Sequence, residues 1–311
     1  MNFKFFKHRF IFFGVSIGII VIGIICSFIY GIGLDIQFVG GSVVRYNSVG
    51  EIDTDKVKAA VEKAIGEEIS SIQVNTKNDV PIGIVISAAI KPGEDIALTN
   101  DQIAAIRDVL ESDEFAGNQF ILSEQTTVSA SIGAEYLRKG LLALLLASIC
   151  IILYVWFSFR SMSGPSAGVF ALVALFHDVI MVFIAFIIMR IPLNESFIAV
   201  ALTIIGYSTN DTIVIYDRIR ENIRLQNGKL TLADLVDKSI NQSLNRTINT
   251  AAATFGAVLI TYIFAAIYGI RSIQEFALPM LVGIVSGFYS TVFIATTLWV
   301  TWKTRKGRAG L

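Results

Sequence analysis

The stretch Gly206-Tyr207-Ser208-Thr209-Asn210-Asp211-Thr212-Ile213-Val214-Ile215-Tyr216-Asp217-Arg218-Ile219-Arg220-Glu221-Asn222 begins inside an apolar run, carries a carboxylate there, and leaves through a burst of charge. A carboxylate near the middle of a membrane helix is expensive, so its presence calls for a partner, a hydrated path or a proton to carry. Asp211 is the residue that the rest of the sequence has to explain.

The surrounding composition supports a membrane setting. The 311 residues are 54% hydrophobic and 16% charged, with a mean hydropathy of +0.67, too apolar for a soluble globular chain of this size. A spanning helix needs about 20 mainly apolar residues. Six runs qualify: Phe10 to Tyr30, Gly140 to Phe159, Pro165 to Met189, Phe197 to Tyr216, Thr250 to Ile270 and Phe276 to Trp302. The first lacks a small-x-small cleavage site and is too long for a signal core, so it reads as an uncleaved spanning helix. Cys26 and Cys150 fall inside apolar runs and read as packing thiols rather than a disulfide. The net charge of zero gives no basic excess for nucleic acid. No Walker-type phosphate loop and no His/Cys metal spacing occurs, so no cofactor, metal or self-contained ATPase is expected, and the chain reads as a non-enzyme.

Between the first and second runs lies the only sizeable polar region, residues 33–139, the size of a small domain. Its periodicity alternates between strand and helix. Strands are expected at Ser42 to Ser48, Ser70 to Thr76, Pro81 to Ile90 and Gln119 to Val128. Helices are expected at Thr54 to Ile65 and Asn100 to Leu110, the second capped by Thr99 or Asn100, and Lys91-Pro92-Gly93 marks a turn. The order βαββαβ indicates a ferredoxin-like α+β sandwich. Without His, Cys or a catalytic constellation, such a module binds or moves. Gly40 and Gly41, just after the first run, supply a tight turn or hinge.

Positive charge orients the chain. Fourteen Lys and Arg collect on the side of the N-terminus, against only Arg190 and Arg271 in the short loops opposite. Both termini are thus expected in the cytoplasm, the polar domain outside. The segments are then 1–32 (tail and first helix), 33–139 (extracytoplasmic domain), 140–302 (five-helix bundle with a cytoplasmic loop at 217–249) and 303–311 (basic tail). In that loop Leu232, Leu235, Val236 and Ile240 fall at helical spacing, a stripe expected along the membrane surface or against a partner.

Around Asp211, the residues Thr203, Gly206, Tyr207 and Asn210 recur at three- and four-residue intervals and share a face with it, a polar stripe expected to line the bundle interior; Thr212 follows directly. Arg246 enters the next run with Thr247 and Thr250. If the two helices are antiparallel neighbours, Asp211 and Arg246 lie at similar depth. Burial raises a carboxyl pKa and a nearby cation lowers it, so a guanidinium that approaches and withdraws would reset the acid's affinity for a proton; a fixed ion pair between helices is the simpler alternative. His177-Asp178, midway along the third run, reads either as part of a hydrated path or as a satisfied polar pair. Gly283 with Gly287, and Ser286 with Ser290, read as small-residue ridges for close helix packing.

The Gly206 to Asn222 block, together with Ser243-Leu244-Asn245-Arg246-Thr247-Ile248-Asn249-Thr250, His177-Asp178 and Phe276 to Ala295, resembles the motifs of the SecD/SecF family of bacterial protein export, within the RND transporter superfamily. The resemblance covers nearly the whole chain. It implies six transmembrane helices with one external domain, Asp211 and Arg246 as proton-coupling residues, and H⁺ as the coupling ion, with Na⁺ open. It also implies a SecD partner of like topology, the SecYEG channel, YajC as a further candidate, and the emerging unfolded polypeptide, in the bacterial cytoplasmic membrane. The sequence departs from the family pattern twice. Gln37 stands where the family has Asp before Phe-x-Gly-Gly, with Asp35 two residues earlier, and Gly287-Phe288-Tyr289-Ser290-Thr291 replaces Gly-Thr-Tyr-Ser-Ser. The expected function is proton-driven assistance to the late stage of export. Two alternatives are an exporter of lipid or small apolar molecules and a passive scaffold for the channel.

Overall fold

The computed structural model describes residues 3–69, 71–77, 80–90, 97–159, 164–226 and 230–305. The chain divides into two compact units, Met1–Gly33 with Leu141–Leu311, and Leu34–Gly140.

The Leu34–Gly140 unit contains the short helix α2 (Ile36–Val39), strands β1 (Gly41–Asn47), β2 (Ser71–Lys77), β3 (Val80–Ala89) and β4 (Ile121–Val128), and helices α3 (Thr54–Ile65) and α4 (Asn100–Leu110). The sheet order is β2-β3-β1-β4, every neighbour antiparallel, the split βαβ arrangement expected from the element order. One face of the sheet carries Val44 and Tyr46 of β1 and Ile84 and Ile86 of β3. Against it pack Val57 and Val61 of α3 and Ile103, Ile106 and Leu110 of α4. Each such side chain contributes about 1.5–3 kcal/mol by leaving water. Asp53 caps α3 through Lys56 N, and Thr99 caps α4 in a reciprocal box with Gln102. The displaced acid Asp35 acts locally, its Oδ1 accepting from Gln37 N at 3.0 Å to start α2. That helix ends on Gly40 at φ +80°, a conformation glycine adopts without strain. Gly41, the other turn candidate, is the first residue of β1 and already paired in the sheet. The turn expected at Lys91-Pro92-Gly93 lies outside the described residues.

The other unit is helical: α1 (Arg9–Tyr30), α5 (Ala130–Ser158, begun in the sheet unit), α6 (Gly164–Ile188), α7 (Glu195–Gln226), α8 (Leu232–Tyr268) and α9 (Arg271–Tyr289), which passes through a π-helical turn (Ser290–Ala295) into α10 (Thr296–Arg305). Among the described residues, six helical stretches are long and apolar enough to cross a membrane, α9, the π turn and α10 counting as one. The six apolar runs are therefore real helices, and the chain is a multi-pass membrane protein. Of its two thiols, Cys26 is half-buried and Cys150 exposed, so Cys150 packs against no core.

Most of the described residues in the expected loop at 217–249 are helical. α7 continues to Gln226, supported by Arg218–Glu221 and Arg220–Asp217 pairs three residues apart, and α8 begins at Leu232. The stripe expected to lie on the membrane or a partner is instead internal: Leu232, Leu235, Val236 and Ile240 are buried with Tyr216, Ile219 and Trp299. Phe5 joins this cluster, and the segment before α1 is tied to α8. Phe3 and Asn241 exchange two hydrogen bonds, at 3.1 and 2.9 Å, and Phe6 N donates to Asp237 at 2.9 Å. Of the basic tail, the described part ends at Arg305.

Candidate functional site

Among the described residues of the helical unit two carboxylates are buried, Asp178 and Asp211, and they differ in how they are satisfied. Asp178 is fully buried at 0% exposure. Ser208 of α7 donates to its Oδ2 at 2.7 Å, Ser290 to the same oxygen at 2.6 Å, and Ser286 to Oδ1 at 2.6 Å. The adjacent His177 places Nδ1 3.1 Å from Oδ1. A carboxylate offers about four acceptor positions, so four donors saturate it. Charge-assisted bonds of this length are about twice as strong as neutral ones. The acid is locked, and it ties α6 to α7 and α9.

Asp211 is the opposite case. It is 2% exposed, and its Oδ2 is buried with no hydrogen-bond partner among the described residues. An unsatisfied buried oxygen costs about 1–3 kcal/mol, more when charged, and a proton on the carboxyl removes most of that charge cost. The side of α7 that faces the bundle carries Ile204, Ser208, Thr212 and Ile215, all buried, and Asp211 stands among them.

This corrects the expected polar stripe. Thr203, Gly206 and Asn210 are exposed and Tyr207 is half-buried, so the stripe lies on the outside of this chain. Helical spacing identifies residues that share a face but not what that face meets. The apolar Ile204 and Ile205 on the other side are what the bundle takes in, because α9 approaches closely there: a Cβ on Gly283 would fall 2.5 Å from Ile204 Cγ1.

Around Asp211, α7 is held by hydroxyls of the π turn. Thr212 Oγ1 lies 3.1 Å from Thr291 Oγ1, and Thr291 also donates to the Ser208 carbonyl at 3.3 Å. A π turn presents adjacent residues inward where an α-turn would not, and such turns recur at functional sites. Here Ser290 and Thr291 are both fully buried. Sequence reasoning missed Ser208 and Thr291 as polar partners and took Ser286 and Ser290 for packing. The usable signal was that three serines and a threonine interrupt runs that already had one acid to satisfy.

Arg246 is exposed and forms no ion pair with Asp211 within 4.0 Å among the described residues, although it stands within Coulombic reach of it. It lines a cleft of about 610 Å³ between α7 and α8, with Val214, Arg224 and Gln242. Three of the remaining candidates bond within their own helices: Thr203 donates to Ala199 O at 2.7 Å, Thr247 to Ser243 O at 3.3 Å and Thr250 to Arg246 O at 2.9 Å, whereas the Tyr207 hydroxyl is buried with no hydrogen-bond partner among the described residues. Among the described residues no group of His, Cys, Asp and Glu is placed to hold a metal ion.

Residues 110–305 match the family model of the protein export membrane protein SecD/SecF, C-terminal. The chain belongs to the SecD/SecF family of protein export membrane proteins. It is 32% identical over 299 residues to the protein translocase subunit SecF of Alicyclobacillus acidocaldarius, covering 94% of this chain and 91% of that one. It is also 32% identical over 305 residues to the protein translocase subunit SecDF of Bacillus subtilis, covering 97% of this chain and 38% of that longer one. The crystal structure of SecDF, a translocon-associated membrane protein from Thermus thermophilus, superposes with a TM-score of 0.81 at 27% identity, covering 97% of this chain and 39% of that one. The likeness thus runs along most of the SecF subunit and along less than half of the SecDF chains.

Proposed function

We propose that this chain is the SecF-type subunit of a bacterial protein-export machine, coupling proton entry at Asp211 to movement of the Leu34–Gly140 unit. The observation that carries the reading is the contrast between the two buried acids. Asp178 has every acceptor position filled, whereas Asp211 keeps an orphan oxygen and thus a place for a proton to load. Arg246 supplies the counter-charge. It stands withdrawn toward the cleft, and its approach to Asp211 would favour the ionised acid.

In this reading the sheet unit lies outside the cytoplasmic membrane and both termini lie inside, following the distribution of Lys and Arg. One proton falling through 100 mV releases about 2.3 kcal/mol, which shifts a two-state equilibrium roughly fiftyfold, enough to drive a ratchet. The exposed stripe of Thr203, Gly206 and Asn210 beside Asp211 is the face left for a SecD-type partner. SecYEG, with YajC as an additional member, is the channel served, and the emerging unfolded polypeptide is what the external unit engages. His177 and Asp178 support the site by fixing α7, not by carrying the proton. The test is export by proteoliposomes holding this chain and its partner. Faster completion of export with an imposed proton gradient supports the reading, and the same rate with and without the gradient refutes it.

A further inference from the structure

The cleft between α7 and α8 carries positive charge that its own carboxylates do not balance. Its walls hold four guanidiniums, those of Arg218, Arg220, Arg224 and Arg246, against the carboxylates of Asp217 and Glu221. Both acids are already engaged on their own helix. Asp217 Oδ1 lies 2.6 Å from Arg220 Nη2, and Glu221 pairs with Arg218, which also donates to Gln242 at 2.9 Å. Arg220 donates in addition to the Ser158 carbonyl at 3.1 Å. Arg224 and Arg246 are exposed, and among the described residues neither guanidinium has an ion pair. Two cations thus face one open, polar cleft with no anion of the chain left for them.

The position of the cleft narrows the anion that suits it. The apolar run of α7 ends at Tyr216 and that of α8 begins at Thr250, so a cleft reaching from Val214 to Leu225 on one helix and from Gln242 to Arg246 on the other opens where hydrocarbon gives way to headgroups. Its volume of about 610 Å³ is that of a small-molecule site, more than a single carboxylate needs. A guanidinium is a planar fork that meets phosphate oxygens with two parallel N–H donors. Beyond Arg246, positions 250, 253 and 257 continue the same face of α8, where Ala253 and Ala257 are exposed and offer apolar surface to an acyl chain. Free phosphate has nothing to place there.

We propose that this cleft binds the headgroup of an anionic phospholipid, phosphatidylglycerol in chemical class, Arg224 and Arg246 donating to its phosphate oxygens while an acyl chain follows α8. The stripe of Thr203, Gly206 and Asn210 lies further into the apolar run and stays open to a partner. The site goes beyond the coupling reading and is independent of it. Arg246 belongs to both, but the lipid binds here whether or not Asp211 carries a proton, and the test does not involve export.

The probes are phosphatidylglycerol and phosphatidylcholine, each with a diazirine on the acyl chain near the glycerol; the second has the same phosphate and a compensating cation. The purified full chain in detergent is labelled with each, and the modified residues are mapped by mass spectrometry. Phosphatidylglycerol is expected to label the stretches around Val214 and Ala253 at least fivefold more than phosphatidylcholine, since one basic residue at a membrane surface is worth about a factor of five. Arg224→Gln, at an exposed position, lowers that labelling about fivefold. Lys238→Gln removes the same charge from a different cleft on α8 and leaves it unchanged. Excess unlabelled phosphatidylglycerol competes the label away, and inorganic phosphate at the same concentration does not. Equal labelling by the two lipids overturns the proposal and leaves the two guanidiniums to an acidic segment of a partner protein. An equal loss in Arg224→Gln and Lys238→Gln overturns it by reducing the effect to diffuse surface charge, and competition by inorganic phosphate overturns the lipid as the source of the anion.

Discussion

Replacing Asp178 by Asn keeps the shape of the side chain and removes the charge that holds three helices. Three seryl O–H donors point at this carboxylate, two at Oδ2 and one at Oδ1. A hydrogen bond to a charged group is worth about 1.5–3 kcal/mol and a neutral one about 1, although bonds measured within membranes average nearer about 0.6 kcal/mol. Losing the charge assistance of three bonds therefore costs about 2–3 kcal/mol, and the Asn amide also meets two hydroxyls that must turn to accept from it. At about 2–4 °C per kcal/mol for a unit of this size, Tm falls by roughly 5–10 °C. The assay is thermal unfolding of the purified chain in detergent, with Asp211→Asn alongside. Asp211 leaves its Oδ2 without a partner, so that variant gives up little and unfolds within about 2 °C of wild type, or higher, since the desolvation penalty of a buried charge is gone. If Asp178→Asn unfolds like wild type, or if Asp211→Asn falls just as far, the distinction between a locked and an open acid is wrong.

Other substitutions probe the remaining contacts. Gly283→Val drives a branched side chain into Ile204 and Val182 and should cost roughly 1–3 kcal/mol by overpacking; an unchanged Tm would show that α9 has room to move. Phe5→Ala empties a buried position, with an expected loss of about 3 kcal/mol and faster proteolysis of the segment before α1; a wild-type digestion rate would contradict the docking on α8. Burial raises the pKa of the Tyr46 phenol in the sheet unit. Its folded-state pKa then exceeds the unfolded value of about 10, so its contribution is complete below pH 10 and is lost as pH climbs through the folded pKa. The urea midpoint of the wild-type chain should fall more steeply above pH 10 than that of Tyr46→Phe, and parallel curves would refute the assignment.

The spans were legible because long apolar runs have few other fates, and the sheet unit because its strand and helix periods are distinct. α3 and α4 were expected at Thr54 to Ile65 and Asn100 to Leu110, and these are their bounds. The ends of α7 and α8 were not legible from hydropathy. A charged segment with good helix formers and favourable pairs three residues apart stays helical after it leaves the apolar zone, as Asp217 to Gln226 does. Asp211 could be singled out because one acid in an apolar run needs a reason. Its neighbours could not be sorted, because a periodic stripe does not say which side meets the bundle. The Asp178 network was hidden for a different reason. Its donors are separated from it by 30, 108 and 112 positions, and each serine alone looks like a small residue for packing.

The most direct measurement is the rate at which a translocation intermediate is completed in proteoliposomes containing the SecYEG channel, a SecD-type partner and this chain, with and without an imposed proton gradient. With the wild-type chain the gradient should speed completion. With Asp211→Asn, assembled at wild-type levels, the rate should drop to the value seen without a gradient. An unchanged gradient response in Asp211→Asn would show that the open carboxyl at this position does not load the proton, and the coupling account would fall.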